Sequence, residues 1–251
     1  MPVTMRDVAL QAGVSIKTVS RVVNHQPEIS DATRQRVLAV IDNLGYRPNA
    51  LARALVTQRT QIVGLVVVTL DNPYFTDIAR GVQAAGREHA YQTFLATSDE
   101  DPHEEQHILE SLVAYGADGL IVYATSYSDA YLAEFAERFR PLVLIHGLVE
   151  HPNISHVRPD FEGGARLAVD YLVGRGHRAI GMLANVESPP TRRWREHGYA
   201  RSLRAHGLAV QPDWIERDLA KIDGGNAANQ RLLARHPELT AIFAYNDMMA
   251  I

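Results

Sequence analysis

A His-Glu-Glu-Gln-His segment at positions 103–107 has the spacing of a zinc-binding helix. In such helices two imidazoles four residues apart bind Zn²⁺ and the glutamate acts as a general base. Here the segment follows Asp101-Pro102, a pair typical of a helix N-cap and first turn, which predicts an exposed position for both imidazoles. Because no third ligand is specified downstream, we predict no metal site. The chain also lacks Walker, G-x-S-x-G and G-x-G-x-x-G motifs, so neither an enzymatic activity nor a cofactor is expected.

A second group of polar side chains, within residues 15–24, could contact nucleic acid. Val19, Val22 and Val23 recur at helical spacing, so a helix here would bury them and expose the polar residues. Short hydroxyls suit phosphate oxygens, and cations can reach guanine acceptors in the major groove. A solvated helix of this length usually carries acidic residues as well, and this one carries none. The exposed set is predicted to be Ser15, Ile16, Lys17, Thr18, Ser20 and Arg21.

Three short helices are predicted to hold this surface. Thr4 and Asp7 have the spacing of a capping box, and Gly13 can end the first helix in a left-handed conformation. Two short helices separated by Ala-Gly-Val have helix-turn-helix spacing, although spacing alone also allows any three-helix bundle. The predicted helices run from Met5 to about Ala12, from Ile16 to about Asn24 after a Ser15 cap, and from Asp31 to Leu44 before Gly45; the third carries Val37, Leu38, Ile41 and Leu44 at helical intervals.

The charge of the chain is unevenly distributed. Residues 1–60 hold eight basic and four acidic residues, whereas the remainder holds 17 basic and 25 acidic residues. A basic head on an acidic body favours a polyanion-binding module joined to a domain of another kind. The sequence has no cysteine, no apolar run long enough to span a membrane and no signal peptide, so we expect a soluble cytoplasmic protein.

The segments TMRDVALQAGVSIKTVSRVVN (4–24) and YRPNALARAL (46–55) resemble the N-terminus of the LacI/GalR family of transcriptional repressors. This resemblance implies that Ile16, Lys17 and Arg21 read bases. It also implies that residues 49–55 form a hinge helix that orders on operator DNA beside its partner from a second subunit. A tether with some helical bias is the alternative. Thr4, Ser15, Thr18, Ser20 and Asn24 would hold phosphates, Leu55 would enter the minor groove, and Asn49 and Ala52 would lie against the backbone and groove.

From residue 60 onward, predicted strands and helices alternate, which favours parallel sheets covered by helices. Strands are predicted at 62–68, 92–97, 119–124, 142–145, 179–183 and 241–245, and helices at 73–90, 102–115, 129–139, 160–175, about 190–206 and about 222–235. The two series resemble the two lobes of the family's periplasmic-binding-protein-like core. The predicted fold is therefore multi-domain: an all-α helix-turn-helix head (1–48), a hinge and linker (49–59), and an α/β core with lobes at 60–158 and 159–251.

Six residues are implied as effector ligands by the same resemblance. Asn72, Tyr74 and Phe75 match the family's effector loop and suit a sugar or a purine, although the two rings could instead pack on the helix that they open. His146 stands at a strand end that faces the cleft in the family, where an acid is common; a structural histidine is the alternative. Arg195 lies in an R-x-x-G-Y motif, and Asn246 begins an N-D pair that could also be a helix N-cap.

The resemblance implies a repressor that binds a palindromic operator as a homodimer, under the control of a sugar-like or nucleobase-like effector. A solute-binding transport protein would explain the two lobes, but it requires export and has no use for residues 1–60. The sequence stops one turn into a helix after Asn246-Asp247. We therefore expect a truncated repressor with an incomplete second lobe, weak dimerisation and poor effector binding.

Overall fold

A computed structural model describes residues 3–24, 26–47, 54, 57–99, 101–124, 129–187 and 189–251. The chain divides into two compact units, one of residues 1–62 with 116–118 and one of residues 63–115 with 119–251. The hinge residues Asn49, Ala52 and Leu55 of the sequence prediction lie outside the described residues. No helix within the described part of the chain is both long and apolar enough to cross a membrane.

The first unit contains three helices, α1 (Met5–Ala12), α2 (Ile16–Val23) and α3 (Asp31–Leu44). Their ends are set by local hydrogen bonds, as the sequence predicted. The Thr4 backbone N–H donates to the Asp7 carboxylate at 2.8 Å, and the Asp7 N–H donates back to the Thr4 hydroxyl at 3.4 Å, which completes the capping box. Gly13 (φ 63°) and Gly45 (φ 62°) end α1 and α3 in the left-handed region, which glycine adopts without steric cost.

A small apolar core joins the three helices. Its buried members are Val8, Ala9 and Ala12 of α1, Val19 and Val22 of α2, Val37 of α3, and Tyr46. Leu38, which was expected on the apolar stripe of α3, is instead 43% exposed. One residue corresponds to about 100° of helix rotation, so Leu38 points away from the face that carries Val37. Val40, Ile41 and Leu44 pack against the core in its place.

The second unit begins with a five-stranded sheet of order β2-β1-β3-β4-β5, in which β3 pairs in parallel with β1 and β4, and β4 with β5. The strand β5 was not predicted, because four residues following a loop give too short an alternation to stand out. The elements are β1 (Ile62–Val67), α4 (Pro73–Glu88), β2 (Gln92–Thr97), α5 (Pro102–Ala114), β3 (Gly119–Tyr123), α6 (Asp129–Arg138), β4 (Leu142–Ile145) and β5 (Ile154–Val157).

A second sheet of order β7-β6-β8 follows, with both outer strands parallel to β6. The strand β7, with the sequence Ile-Glu-Arg-Asp, was missed because three of its four residues are charged. The elements are α7 (Phe161–Gly174), β6 (Ile180–Asn185), α8 (Pro189–Ala205), a 3₁₀ turn (Pro212–Trp214), β7 (Ile215–Asp218), α9 (Ile222–Arg235), β8 (Ala241–Ala244) and α10 (Asp247–Ala250).

The carboxyl ends of the strands define where a ligand can bind, because ligands of open parallel sheets sit at those ends. The loop after β1 leads to Tyr74, β3 ends at Tyr123, and β4 is followed by His146. In the second sheet, β8 is followed by Tyr245. These four residues are therefore placed by strand topology rather than by nearness in the sequence.

Candidate functional site

The surface of α2 carries the residues predicted to contact DNA. Ile16 is 50% exposed at the start of the helix, and Lys17 beside it is exposed as well. The Ser15 hydroxyl accepts a hydrogen bond from the Thr18 N–H at 3.1 Å and lies 2.9 Å from the Thr18 hydroxyl. These contacts present two cations, several hydroxyls and one apolar side chain on one short helix and its caps.

Arg21 forms an ion pair that the sequence analysis did not predict. Its Nη1 lies 3.3 Å from Oε2 of Glu28, in the segment between α2 and α3. The Glu28 side chain is 68% exposed, and exposed ion pairs contribute little to stability. Arg21 can therefore exchange Glu28 for another acceptor at small cost. At the end of the same helix, the Asn24 amide donates to the Ser20 hydroxyl at 3.4 Å.

In the second unit, Tyr74, Tyr123 and His146 meet at the carboxyl edge of the first sheet. The Tyr74 Oη lies 2.9 Å from His146 Nε2, and the Tyr123 Oη lies 3.1 Å from His146 Nδ1. His146 is 8% exposed, whereas Tyr74 is 41% exposed. Both ring nitrogens of the histidine therefore have a phenol partner, and neither is free to serve as a simple ligand contact.

The imidazole of His146 is neutral at physiological pH. Burial, with a further contribution from the positive charge of Arg195, lowers the pKa of His146 from 6.5 to about 4. Burial also raises the pKa of the Tyr74 phenol, and the charge of Arg195 partly offsets that rise. Tyr74 accordingly stays protonated, and the cluster of Tyr74, Tyr123 and His146 offers hydroxyl groups rather than a phenolate.

Arg195 lies between two aromatic rings. Its guanidinium carbon is 4.0 Å from the Phe161 ring centroid and 4.1 Å from the Tyr245 ring centroid, distances at which a cation is attracted to the ring face. Within the described part of the chain, Arg195 Nη1 donates a hydrogen bond to the Thr191 carbonyl oxygen at 3.3 Å. The two stacked rings leave the edge of the guanidinium, with its N–H groups, as the route to a ligand.

Elements of both sheets also supply aromatic residues that the sequence analysis did not single out. Phe161, at the start of α7, lies 4.7 Å from the His146 ring and stacks on Trp194 at 6.0 Å between centroids. The Tyr245 hydroxyl lies 2.6 Å from the Thr191 hydroxyl. Phe161, Tyr123 and Tyr245 each stand at a strand end or a helix start. Those positions in the sequence could have identified them as candidate site residues.

The other predicted effector residues support the cluster from outside. Phe75 is buried in an apolar cluster with Leu65 and Val67 of β1, with its ring centroid 5.3 Å from that of Tyr74 and 4.9 Å from that of Tyr123. Asn72 caps α4 by accepting the Tyr74 N–H at 3.0 Å. Asn246 accepts the Met249 N–H at 2.9 Å and donates to the Ala220 carbonyl at 3.2 Å, so the N-cap role proposed as its alternative is present.

The His-Glu-Glu-Gln-His segment lies in the first two turns of α5, where Glu105 is fully buried. Asp101 accepts the His103 N–H at 2.8 Å and caps the helix, with Pro102 in the first turn. His103 and His107 are both exposed. Within the described ranges, no three histidine, aspartate or glutamate side chains come together as a metal site would require.

Comparison with known proteins relates both units to one family. The family model "Bacterial regulatory proteins, lacI family" matches residues 4–49, and "Periplasmic binding proteins and sugar binding domain of LacI family" matches residues 60–251. The chain belongs to the LacI family. It is 36% identical over 250 residues to the HTH-type transcriptional regulator GalS of Salmonella typhimurium, covering 99% of this chain and 73% of that protein.

Solved structures of LacI-family proteins share the fold. The Lac repressor dimer bound to operator and the anti-inducer ONPF has a TM-score of 0.86 and 28% identity, covering 100% of this chain and 76% of that chain. The complex of the transcriptional regulator CelR with cellobiose has a TM-score of 0.67 and 31% identity, covering 98% and 75%. The predicted family and fold class are therefore confirmed, and this LacI-family member is a DNA-binding transcriptional regulator with an effector-binding domain. The match at residues 4–49 also separates it from a solute-binding transport protein.

Proposed function

We propose that this chain is a repressor that binds a near-palindromic operator as a homodimer. Its affinity for the operator would fall or rise when a small molecule binds the second unit. The effector would contact Tyr74 and the edge of Arg195. The observation that carries this proposal is the enclosed position of Arg195, between Phe161 and Tyr245, with the Tyr74–His146 pair nearby. The coupling between the two sites would be a free energy that each ligand exerts on the other.

The polar surface of α2 supports the DNA-binding part of the proposal. Ile16, Lys17 and Arg21 are proposed as base contacts, because Ile16 and Lys17 are exposed on α2 and, among the residues that the structure describes, Arg21 is held there only by the ion pair with Glu28. A dimer would place two such helices in successive major grooves. Thr4, Ser15, Thr18, Ser20 and Asn24 are proposed as phosphate contacts, and Asn49, Ala52 and Leu55 as hinge contacts.

Aromatic rings beside a cation and several hydroxyls support a small polar effector with at least one apolar face, such as a sugar or a nucleobase. The related CelR structure contains cellobiose, which favours the sugar. Asn72, Phe75, His146 and Asn246 would complete the site by holding its walls. Domain limits of 1–48, 49–59, 60–158 and 159–251, and a cytoplasmic location, are part of the same proposal.

Selection of bound sequences from random double-stranded DNA tests the DNA-binding part. We expect enrichment of a site with two half-sites related by a two-fold axis. Enrichment of one unpaired half-site would contradict the dimeric arrangement, and the absence of any enriched sequence would contradict sequence-specific binding.

The effector part is tested on the selected operator. Sugars, including cellobiose, and free nucleobases are added to the protein–operator complex, and fluorescence anisotropy follows the bound fraction. Arg195→Gln should bind operator like the unaltered protein and lose the response to the active compound. A full response in Arg195→Gln would show that the effector binds elsewhere.

A further inference from the structure

Glu28 lies beside Arg21, the cation of α2 that is proposed to read a base. Its Oε2 is 3.3 Å from Nη1 of Arg21, and its side chain is 68% exposed. An exposed ion pair of this kind adds little to stability. An acidic side chain also repels DNA, because the DNA backbone carries a negative charge on every phosphate. Folding therefore does not explain a carboxylate at this position.

The segment that carries Glu28 is anchored on both sides of that residue. Gln26 donates its backbone N–H to the Arg21 carbonyl at 2.9 Å, and its own carbonyl accepts Arg34 Nη2 at 2.7 Å. On the other side, Ile29 packs against the apolar core of the first unit. The carboxylate therefore stays near Arg21 even when the guanidinium turns to another acceptor.

A carboxylate beside a guanidinium changes which further acceptor the guanidinium prefers. The guanidinium has five N–H donors in a fixed fork, so a carboxylate near Nη1 leaves other donors for a second partner. If that partner is a phosphate, the carboxylate repels it. If it is a neutral acceptor, such as N7 or O6 of guanine, there is no such repulsion. The pair of Arg21 and Glu28 therefore favours a base edge over the DNA backbone.

We propose that Glu28 is a positioning residue that raises sequence specificity through Arg21, by keeping this cation from phosphates on DNA of the wrong sequence. Specificity then comes from a repulsive group as well as from an attractive one. Binding to random DNA is almost entirely electrostatic, so the repulsion acts most strongly there. This inference rests on the proposed function, because it takes Arg21 to contact a base.

Glu28→Gln removes the charge and keeps the size of the side chain. Fluorescence anisotropy measures its affinity for the selected operator and for random DNA. Affinity for random DNA should rise about threefold to tenfold, the effect of removing one negative charge a few ångströms from a phosphate in salt solution. Affinity for the operator should rise less, so the ratio of operator affinity to random-DNA affinity should fall. An unchanged or larger ratio would overturn the inference.

The salt dependence of binding shows whether Arg21 has moved to a phosphate. Each added phosphate contact makes the slope of log K against log salt concentration steeper by about 0.9. Glu28→Gln should show this increase on random DNA and no increase on the operator, where Arg21 stays on its base. A merely structural role of Glu28 would leave both slopes unchanged, and that result would contradict the proposal.

Two further proteins separate action through Arg21 from a general effect of charge. Asp42→Asn removes one negative charge from an exposed position of α3 and should leave the affinity ratio unchanged. In an Arg21→Ala background, Glu28→Gln should also leave the ratio unchanged, because the cation on which it acts is gone. An equal fall of the ratio in Asp42→Asn, or a fall that persists without Arg21, would count against the role of Glu28. Thermal unfolding checks that each variant folds, and Glu28→Ala, which also removes the carboxylate, replaces Glu28→Gln if the latter does not.

Failure here is distinguishable from failure of the proposed function. An affinity ratio that Arg21→Ala leaves unchanged contradicts Arg21 as a base contact, and with it the proposed recognition surface. A ratio that falls in Arg21→Ala and not in Glu28→Gln overturns only the role of Glu28.

Discussion

Gly198 of α8 lies directly against the backbone of Glu162 in α7, so that a Cβ atom at position 198 would be 2.3 Å from the Glu162 carbonyl oxygen. The same atom would be 2.9 Å from the Cβ of Ala165. Gly198 is the glycine of the R-x-x-G-Y motif that begins at Arg195. The close approach of the two helices therefore holds Arg195 of α8 beside Phe161, at the start of α7.

Gly198→Ala should destabilise the second unit by about 1–3 kcal/mol, because the added methyl group forces two helix backbones apart. Urea unfolding measures this change. Gly164→Ala in α7 is the matched control: a Cβ there meets nothing within 4 Å, and alanine should stabilise the helix by up to about 1 kcal/mol. Equal effects of the two substitutions would contradict the packing argument.

The stability of the protein should fall in mildly acidic solution because of His146. Its pKa in the folded protein is about 4, and the ordinary value is about 6.5, so the unfolded chain binds the proton first. The contribution is complete above about pH 6.5, is lost as the pH falls toward 4, and amounts to at most about 3 kcal/mol. Denaturant unfolding from pH 7.5 to 4.5 should show a shallower decline for His146→Gln. Parallel curves for the two proteins would refute this prediction.

Arg21→Ala should weaken operator binding by about 1–3 kcal/mol and binding to random DNA much less, because a base contact contributes only on the correct sequence. Fluorescence anisotropy on both DNAs at one fixed salt concentration measures the difference. Arg36→Ala, an exposed cation of α3, is the control and should leave the ratio of the two affinities unchanged. A similar loss on both DNAs in Arg21→Ala would mean that Arg21 contacts only phosphate.

Val19 and Ile16 of α2 differ in burial and should separate folding from recognition. Val19 is fully buried, so Val19→Ala should destabilise the first unit by about 2 kcal/mol through the cavity that it leaves. Ile16 is 50% exposed, so Ile16→Ala should change stability by less than about 0.5 kcal/mol while altering the preferred operator. Thermal unfolding and binding-site selection on both variants check the pair, and a large loss of stability in Ile16→Ala would contradict the assignment.

Features that depend on neighbouring residues were predictable. The capping box of Thr4 and Asp7, the ending of helices at Gly13 and Gly45, and the bounds of α1 and α3 follow from contacts within four or five residues. The same is true of the Asn246 N-cap, which was foreseen as an alternative to a ligand contact. By contrast, the strands β5 and β7 have four residues each, and their pairing partners are needed to recognise them.

The amino-acid sequence by itself determined the helix-turn-helix surface, because every residue of that surface lies on α2 or at a helix cap and helical periodicity sorts buried from exposed positions. It also determined which family the chain belongs to. Only the tertiary structure decided that His146 holds two tyrosines. Tyr74 and His146 are 72 residues apart, and no local pattern relates them. The parallel sheet joins them, because strands that run in the same direction bring their carboxyl ends to one edge.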